Sequence, residues 1–180
     1  MSDIIHSDTV PGPDNPPPEF THIDAEGRVR MVDVSHKNAS LRYARAGAGV
    51  FMKSETLDRI LNQIVRKGNV LETARIAGIM AAKKTAELIP MCHPLNLTHV
   101  QIDFFPEKDS NSIRIEAGAK ITGQTGVEME ALTAVSVAAL TIYDMCKSYD
   151  REMRISDICL MEKSGGKSGR YVREVPKKAV

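Results

Sequence analysis

The sequence contains no tryptophan, and only 4% of its 180 residues are aromatic. Proteins that hold single-stranded nucleic acid stack its bases on aromatic side chains, so this composition disfavours that class. The net charge of +1 also excludes the strong positive field that is typical of nucleic-acid-binding domains. We therefore expect no nucleic-acid partner. A small anionic metabolite stays compatible, because local lysines and arginines can bind it without net charge.

Cysteine is equally scarce, with Cys92, Cys146 and Cys159 far apart in the chain. Their spacing fits neither a zinc site nor a disulfide framework, and it favours a reducing compartment. The first residues lack the pattern of a signal peptide. The longest uncharged apolar run, 131–143, is shorter than the about 20 residues that cross a bilayer. These absences predict a cytoplasmic protein with no membrane partner and no metal site.

The chain is predicted to contain one folded domain between two tails. Residues 1–19 are rich in proline and polar residues, so they bury little apolar surface and are expected to form a flexible arm. The folded domain is predicted to span 20–172, and 173–180 form a basic tail. A composition of 42% hydrophobic and 26% charged residues is ordinary for a globular domain.

Hydrophobic periodicity within the domain predicts strands, two helices, two strands, a helix and a strand. The three helices are expected to start near Ser54, after Asn69 and at Thr125. Asn69–Glu72 and Thr125–Glu128 have the spacing of capping boxes, and Pro90 is expected to end the second helix. The predicted strands and helices lie, in order, at 31–34, 41–52, 54–66, 70–89, 100–104, 113–121, 125–148 and 155–161. This order predicts an α+β fold of the ferredoxin-like type, an antiparallel sheet with helices packed on one face.

Asp144 and Lys147 lie three residues apart near the end of the long third helix, so they share a helix face. A surface ion pair is one interpretation. The apolar run before them favours another, in which a dry cleft shifts the pKa values of both groups toward those useful in proton transfer.

Glu130 lies near the start of the same helix, and no capping role accounts for it, whereas Glu128 is explained as a cap. Fourteen residues separate Glu130 from Asp144, which is about 21 Å along a helix axis. One chain does not bring both beside a small ligand. Two such helices packed across a two-fold axis would do so, which is our hypothesis of an intersubunit site.

The glycine-rich segment 163–169 resembles a phosphate-binding loop, but Met161 stands where the P-loop requires glycine, so an ATPase motif is excluded. Its amides and lysines fit either a phosphate or a solvated loop. Lys67, Arg42 and His93 also have ordinary surface or packing interpretations, and their residue types alone do not decide between these and a ligand.

Longer motifs favour the ligand-binding interpretation of these residues, because they resemble those of a known family. The chain resembles the cyclic pyranopterin monophosphate synthase family, also called molybdenum cofactor biosynthesis protein C, from about Phe20 to Arg170. The matching segments are 67–68, 73–78, 90–95, 122–132, 143–147 and 163–169.

This resemblance implies a ferredoxin-like subunit in a homohexamer built as a trimer of dimers, with active sites at subunit interfaces. The implied reaction converts a cyclised GTP derivative, (8S)-3',8-cyclo-7,8-dihydroguanosine 5'-triphosphate, into cyclic pyranopterin monophosphate and diphosphate. The implied catalytic residues are Lys67, Asp144 and Lys147. The residues implied to bind substrate are Met91, Cys92, His93, Met129 and Glu130, with Arg42 and Lys163 as anion contacts.

Two other classes of function remain as alternatives. A non-catalytic phosphate sensor or scaffold would use the same basic loops without needing the Asp144–Lys147 pair, and a nucleoside-triphosphate hydrolase is weakened by the failed loop spacing. No cofactor is required by the sequence. Magnesium often accompanies triphosphates, although no carboxylate cluster in the sequence requires it.

Overall fold

The computed structural model describes residues 23–24 and 26–174. The predicted arm at 1–19 and residues 175–180 of the predicted tail lie outside these residues. The chain divides into two units, 1–32 and 33–180. In the first, an antiparallel bridge joins Ile23 to Val29, and the Arg28 amide donates to the Asp24 carboxylate at 2.8 Å.

The described residues of the second unit form an antiparallel sheet and four α-helices. In chain order its strands and helices are β1 (Ser40–Phe51), α1 (Ser54–Leu61), α2 (Val70–Ala82), α3 (Thr85–Leu88), β2 (His99–Glu107), β3 (Ser112–Gly123), α4 (Glu128–Cys146), β4 (Arg154–Ser164) and β5 (Tyr171–Val172). The strand order is β2-β3-β1-β4-β5, and all neighbouring strands run antiparallel. The β-α-β-β-α-β order with β1 and β3 at the centre confirms the predicted ferredoxin-like α+β fold.

Strand β1 shows why one face of the sheet receives the helices. Ala44, Ala46, Ala48 and Val50 alternate along the strand and are fully or almost fully buried. Arg45, on the opposite face, donates to the Glu116 carboxylate at 2.8 Å. Because β1 pairs with β3 over its full length, from Ser40↔Gly123 to Phe51↔Ser112, the small apolar residues form a flat central surface for α4.

Helix α4 is the central helix of the core. The helix packs against α2 and the sheet. Seven of its residues are completely buried: Ala131, Ala134, Val135, Ala138, Ala139, Ile142 and Cys146. By length and composition alone α4 is apolar enough to cross a membrane, but half of it is buried inside the protein, as in the core helix of a soluble protein.

The strand predicted at 31–34 is wrong. The carboxylate of Asp33 accepts the Ser35 amide at 2.8 Å, and the Lys37 amide donates to the Val34 carbonyl at 2.9 Å. These local bonds form a turn, which competes with strand pairing. The short apolar pattern was therefore not sufficient to specify a strand.

Several predicted helix boundaries also differ. Helix α1 ends at Leu61 rather than near residue 66, because Gln63 adopts a positive φ of 55°. It begins at Ser54, as predicted, with Lys53 as its N-cap. Helix α2 ends at Ala82, and the separate α3 follows before Pro90.

The two predicted capping boxes have opposite outcomes. The Asn69 side chain accepts the Glu72 amide at 3.1 Å, so the cap of α2 is confirmed. The box at Thr125 is wrong, because α4 begins only at Glu128 and Val127 occupies its N-cap without a side-chain hydrogen bond. Strand β3 continues to Gly123, and residues 124–127 form the turn between this strand and α4.

We predict that Gly78→Ala destabilises the fold by about 1–2 kcal/mol, although alanine favours a helix over glycine by about 1 kcal/mol. A Cβ at this position would collide with the end of the Ile102 side chain and lie 2.8 Å from the Ala134 carbonyl oxygen on α4. Urea unfolding measures the change.

Gly118→Ala is the matched control, since its Cβ would first meet the Tyr43 ring at 3.4 Å. Equal stability of the two variants would contradict the close approach of α2 to α4.

Candidate functional site

Lys67, Asp144 and Lys147 meet at the C-terminal end of α4. The Lys147 ammonium lies 2.8 Å from Asp144 Oδ1, and the Lys67 ammonium lies 3.1 Å from Asp144 Oδ2. Lys67 also donates to the Asp144 backbone carbonyl at 2.7 Å. Asp144 and Lys147 share a helix face, whereas Lys67 comes from the connector between α1 and α2, so the fold joins residues 77 positions apart. We call these three residues the lysine–aspartate cluster.

The two ammonium groups fix the charge of the carboxylate between them. Hydrogen bonds from Lys147 and then Lys67 hold the pKa of Asp144 below its usual value. The Asp144 carboxylate in turn raises the pKa of Lys147. Near neutral pH the cluster therefore contains one carboxylate and a protonated Lys147, a group that can donate a proton or stabilise developing negative charge.

The expected dry cleft is not present in the single chain. The side chains of Lys67, Asp144 and Lys147 are 46%, 60% and 54% exposed. The expectation rests on the apolar run 131–143 of α4, but this run ends just before Asp144, in the last turn of the helix. One chain brings these three residues together.

Arg42 and Lys163 lie near the opposite end of α4, beside the glycine-rich loop. Arg42 donates to the carbonyls of Gly123 and Gln124, both at 3.3 Å. Gly165 and Gly166 have positive φ values of 92° and 78°, and a Cβ on Gly166 would collide with the Arg42 guanidinium. Glycine at this position thus lets the loop backbone pass directly over the arginine.

The loop and Arg42 border a pocket of about 320 Å³ that also contains Lys37 and Lys167. The Lys163 ammonium donates to the Ser168 hydroxyl. Four cationic side chains around flexible amides form a suitable anion site. No helix follows the loop among the residues described; the two-residue strand β5 follows instead, in agreement with the exclusion of a P-loop.

Glu130 lies in the first turn of α4 with only 4% of its surface exposed. Burial raises its pKa from 4.5 to about 7, with a smaller contribution from the negative charge of Glu128. It borders a pocket of about 410 Å³ that also contains Lys84 and Pro94. Glu128 lines the other pocket, as expected of residues two apart on a helix.

Segment 91–93 lies near Glu130. Met91, Cys92 and His93 are each half-buried, and burial followed by the charge of Glu130 raises the pKa of the Cys92 thiol. Met129 is more exposed, at 36%. The structure thus brings Cys92 close to Glu130, and Arg42 close to Lys163, at two places near the start of α4. We call Arg42, Lys163 and Glu130, with their pocket neighbours, the anion-binding end.

The anion-binding end and the lysine–aspartate cluster lie at opposite ends of α4. The separation of Glu130 from Asp144 is about 21 Å at about 1.5 Å per residue. A single chain does not bring its two groups of predicted residues together around one small molecule.

The lysines of the glycine-rich loop, which include Lys167, were already candidates for binding phosphate. Sequence analysis did not single out Lys37 or Lys84, and no sequence pattern pointed to Lys37. Lys37 reaches the pocket because the Gln124 side chain donates to the carbonyls of Ser35 and Lys37, at 3.4 and 3.0 Å.

Within the described part of the chain, no group of three or more histidine, cysteine, aspartate or glutamate side chains is placed to hold a metal ion. The three cysteines are free thiols.

Comparisons with known proteins all point to one family. The profile of the MoaC family matches residues 31–166. A cyclic pyranopterin monophosphate synthase of Desulforapulum autotrophicum is 65% identical over 87% of this chain and 96% of its own length. Proteins of the same name from Desulfatibacillum aliphaticivorans and Thermoanaerobacter sp. are 67% and 59% identical, over 87% of this chain and 98% and 99% of their own lengths.

We predict that Glu130 makes the stability of the protein fall as pH rises. Since its pKa is raised from 4.5 to about 7, the folded chain binds more protons than the unfolded chain between these values, and the stabilising protonated form is lost as pH increases through about 7. Glu130→Gln removes this dependence. Relative to the wild type, the free energy of unfolding of this variant should rise by up to about 3 kcal/mol between pH 4.5 and pH 8.

Urea unfolding at pH 5 and pH 8 measures this difference. Glu87→Gln, at an exposed acid on α3, controls for the loss of one acidic side chain. Identical pH dependence in the wild type and Glu130→Gln would show that Glu130 is not buried as an acid.

Proposed function

The chain belongs to the MoaC family, and we propose that it is a cyclic pyranopterin monophosphate synthase, a lyase of molybdenum cofactor biosynthesis. Its substrate would be the cyclised GTP derivative (8S)-3',8-cyclo-7,8-dihydroguanosine 5'-triphosphate, and its products cyclic pyranopterin monophosphate and diphosphate. The observation that carries this proposal is the contact of Lys67 and Lys147 with Asp144, since these residues occur in the motifs that identify the family.

The reaction makes two chemical demands. Rings on the base must open and close, which requires several proton transfers at carbon, nitrogen and oxygen. A sugar hydroxyl must also attack the phosphorus nearest the ribose, forming one P–O bond while the P–O bond to diphosphate breaks. The departing diphosphate accumulates negative charge, which cationic groups must stabilise.

The lysine–aspartate cluster suits the first demand. The low pKa of Asp144 keeps it anionic, so it orients both ammonium groups and can accept a hydrogen bond from the substrate. Lys147 remains protonated beside it and is available as a general acid. A substrate that displaced one lysine from the carboxylate would free Asp144 to act as a base toward that substrate. The division of these roles between Lys67 and Lys147 follows from how the substrate binds.

The anion-binding end suits the second demand. Arg42, Lys163, Lys167 and Lys37 line one pocket, and their combined positive charge matches a triphosphate. Glu130 lines the neighbouring pocket, segment 91–93 lies close to Glu130, and together they would hold the base. We propose no protein-bound metal for the chemistry; magnesium bound to the triphosphate would meet these cations from the substrate side.

We further propose that the active site is completed by assembly of the chain as a homohexamer, a trimer of dimers. Two observations support a shared site. The two ends of α4 are about 21 Å apart in one chain, and the Asp144 side chain is 60% exposed. A two-fold axis that placed one chain's lysine–aspartate cluster against its partner's anion-binding end would bring the two groups together and would also cover Asp144. Exposed Ile76, Met80 and Leu140 on the helices offer apolar surface for such contacts.

A reducing cytoplasm is the compartment we propose, because all three cysteines are unpaired thiols.

Replacing any residue of the lysine–aspartate cluster should abolish catalysis. Lys67→Ala, Asp144→Ala and Lys147→Ala are expected to fold normally, because the three side chains are solvent-exposed, and to lower kcat by at least about 100-fold. Incubation with the cyclised GTP derivative, followed by measurement of diphosphate and pterin product, tests this.

Lys53→Ala is the matched control, since Lys53 is 55% exposed in an ion pair with Glu152. Wild-type turnover in a cluster variant would remove that residue from the mechanism. A wild-type protein that binds the substrate without releasing diphosphate would be a sensor or scaffold instead, and turnover of plain GTP would indicate a hydrolase.

The shared site predicts complementation between inactive variants. Asp144→Ala and Lys163→Ala impair opposite ends of α4, so a hybrid dimer would have one doubly altered site and one intact site. Random mixing by co-expression should therefore recover about a quarter of wild-type activity.

Asp144→Ala mixed with Lys67→Ala is the control, because every site of that hybrid keeps one damaged lysine–aspartate cluster. Failure of the first mixture to recover activity would mean that each site is built from one chain.

A further inference from the structure

Lys67 lies on a connector whose backbone-to-backbone hydrogen bonds are all local. Residues 62–69 connect α1 to α2 without helix or strand. Their backbone hydrogen bonds include Gln63 to Ile60, Ile64 to Arg59 and Gly68 to Val65, at 3.1, 3.0 and 2.9 Å. These bonds shape the turns of the connector but do not attach it to α4, where Asp144 lies. The Val65 side chain, 4% exposed, anchors the segment in the core two residues before Lys67.

Tyr149 supplies an attachment between the connector and the end of α4. Its hydroxyl accepts the backbone amide of Arg66, the residue before Lys67, at 3.1 Å. Its own amide donates to the Cys146 carbonyl at 2.8 Å, in the turn that ends α4. The tyrosine thus joins the backbone beside Lys67 to the turn that contains Lys147.

Arg59 on α1 fixes the orientation of this tyrosine. Its guanidinium lies over the Tyr149 ring, 5.0 Å from the centroid, which favours one ring position by a cation–π contact. The hydroxyl is therefore directed at the connector by a contact on the ring face and a backbone bond in the turn. Three parts of the chain meet at one side chain that is 37% exposed.

We propose that Tyr149 is a positioning residue for catalysis, which holds the Lys67 backbone so that its ammonium reaches Asp144. The inference rests on the proposed function of Lys67. The Lys67 side chain is long and flexible, so without a fixed backbone its ammonium samples many positions away from the carboxylate. A small displacement of a catalytic group lowers the rate of the chemical step much more than it lowers substrate affinity.

Tyr149→Phe tests the role with the smallest change, since it keeps the ring under Arg59 and removes only the acceptor. We expect kcat to fall about three- to tenfold, the range of one ordinary hydrogen bond, with KM changed less than twofold. Hydrogen exchange, followed by mass spectrometry, should become faster in a peptide covering 62–69. Tyr171→Phe on β5 is the control, because Tyr171 is similarly exposed, at 40%, and should leave both readouts unchanged.

The outcomes separate the two proposals. Faster exchange at 62–69 together with a lower kcat would support positioning. Unchanged exchange, or unchanged kcat despite faster exchange, would overturn it while leaving the synthase function intact. If KM and kcat both fell and protection from exchange were lost across the whole chain, Tyr149 would contribute to general stability. This result would also overturn the positioning role. A wild-type chain that makes no product would overturn the proposed function and the positioning role with it.

Discussion

Close packing of α4 on the two central strands is the constraint on which the other features of the structure depend. The core between helix and sheet is rich in alanine: Ala131, Ala134, Ala138 and Ala139 of α4 and Ala44, Ala46, Ala117 and Ala119 of the two central strands are all completely buried. Small side chains allow the helix to lie near the sheet, and Gly78 lets α2 pack directly against Ala134 and Ala138 of α4. Such a surface tolerates little change in volume, since overpacking a dense core is destabilising. It therefore fixes the position of α4, and with it the positions of the charged groups at both ends.

Both ends of this helix carry charges that its termini favour. Glu130 lies in the first turn, where a negative group is stabilised by the helix dipole, and Lys147 caps the last turn, where a cation is stabilised. The two groups nonetheless differ in burial and in charge state. Glu130 is buried, which raises its pKa to about 7, whereas Asp144 stays exposed between two ammonium groups, which lower its pKa. One helix thus holds an acid that titrates near neutrality and an acid that remains ionised, which is the separation of roles that acid–base chemistry requires.

The fold was predictable from the sequence because its order depends on hydrophobic patterning, which is periodic in α1, β2 and β3 and almost continuous in α4. Boundaries failed where local polar contacts prevailed, as at Asp33, whose carboxylate forms a turn, and at Gln63, whose positive φ ends α1. The pairing of Asp144 with Lys147 was visible in their spacing. The contact of Lys67 with Asp144 was not, because it joins residues 77 positions apart through a connector with no periodic pattern. Only the resemblance to a family identified Lys67, and no sequence pattern indicated that Lys37 or Tyr149 would lie near the candidate residues.

The exposure of the lysine–aspartate cluster bears on how the proposed assembly would act. In water, the attraction between Asp144 and its lysines is weakened by solvent, and the cluster alone offers little electrostatic advantage to a transition state. A partner chain that covered it would lower the local dielectric constant and strengthen each of these interactions. If the covering surface were the anion-binding end, the same contact would also supply the cations for the triphosphate. Assembly would then do more than stabilise the subunits. It would shield the lysine–aspartate cluster from water and bring together two groups of residues that lie about 21 Å apart on one α4 helix.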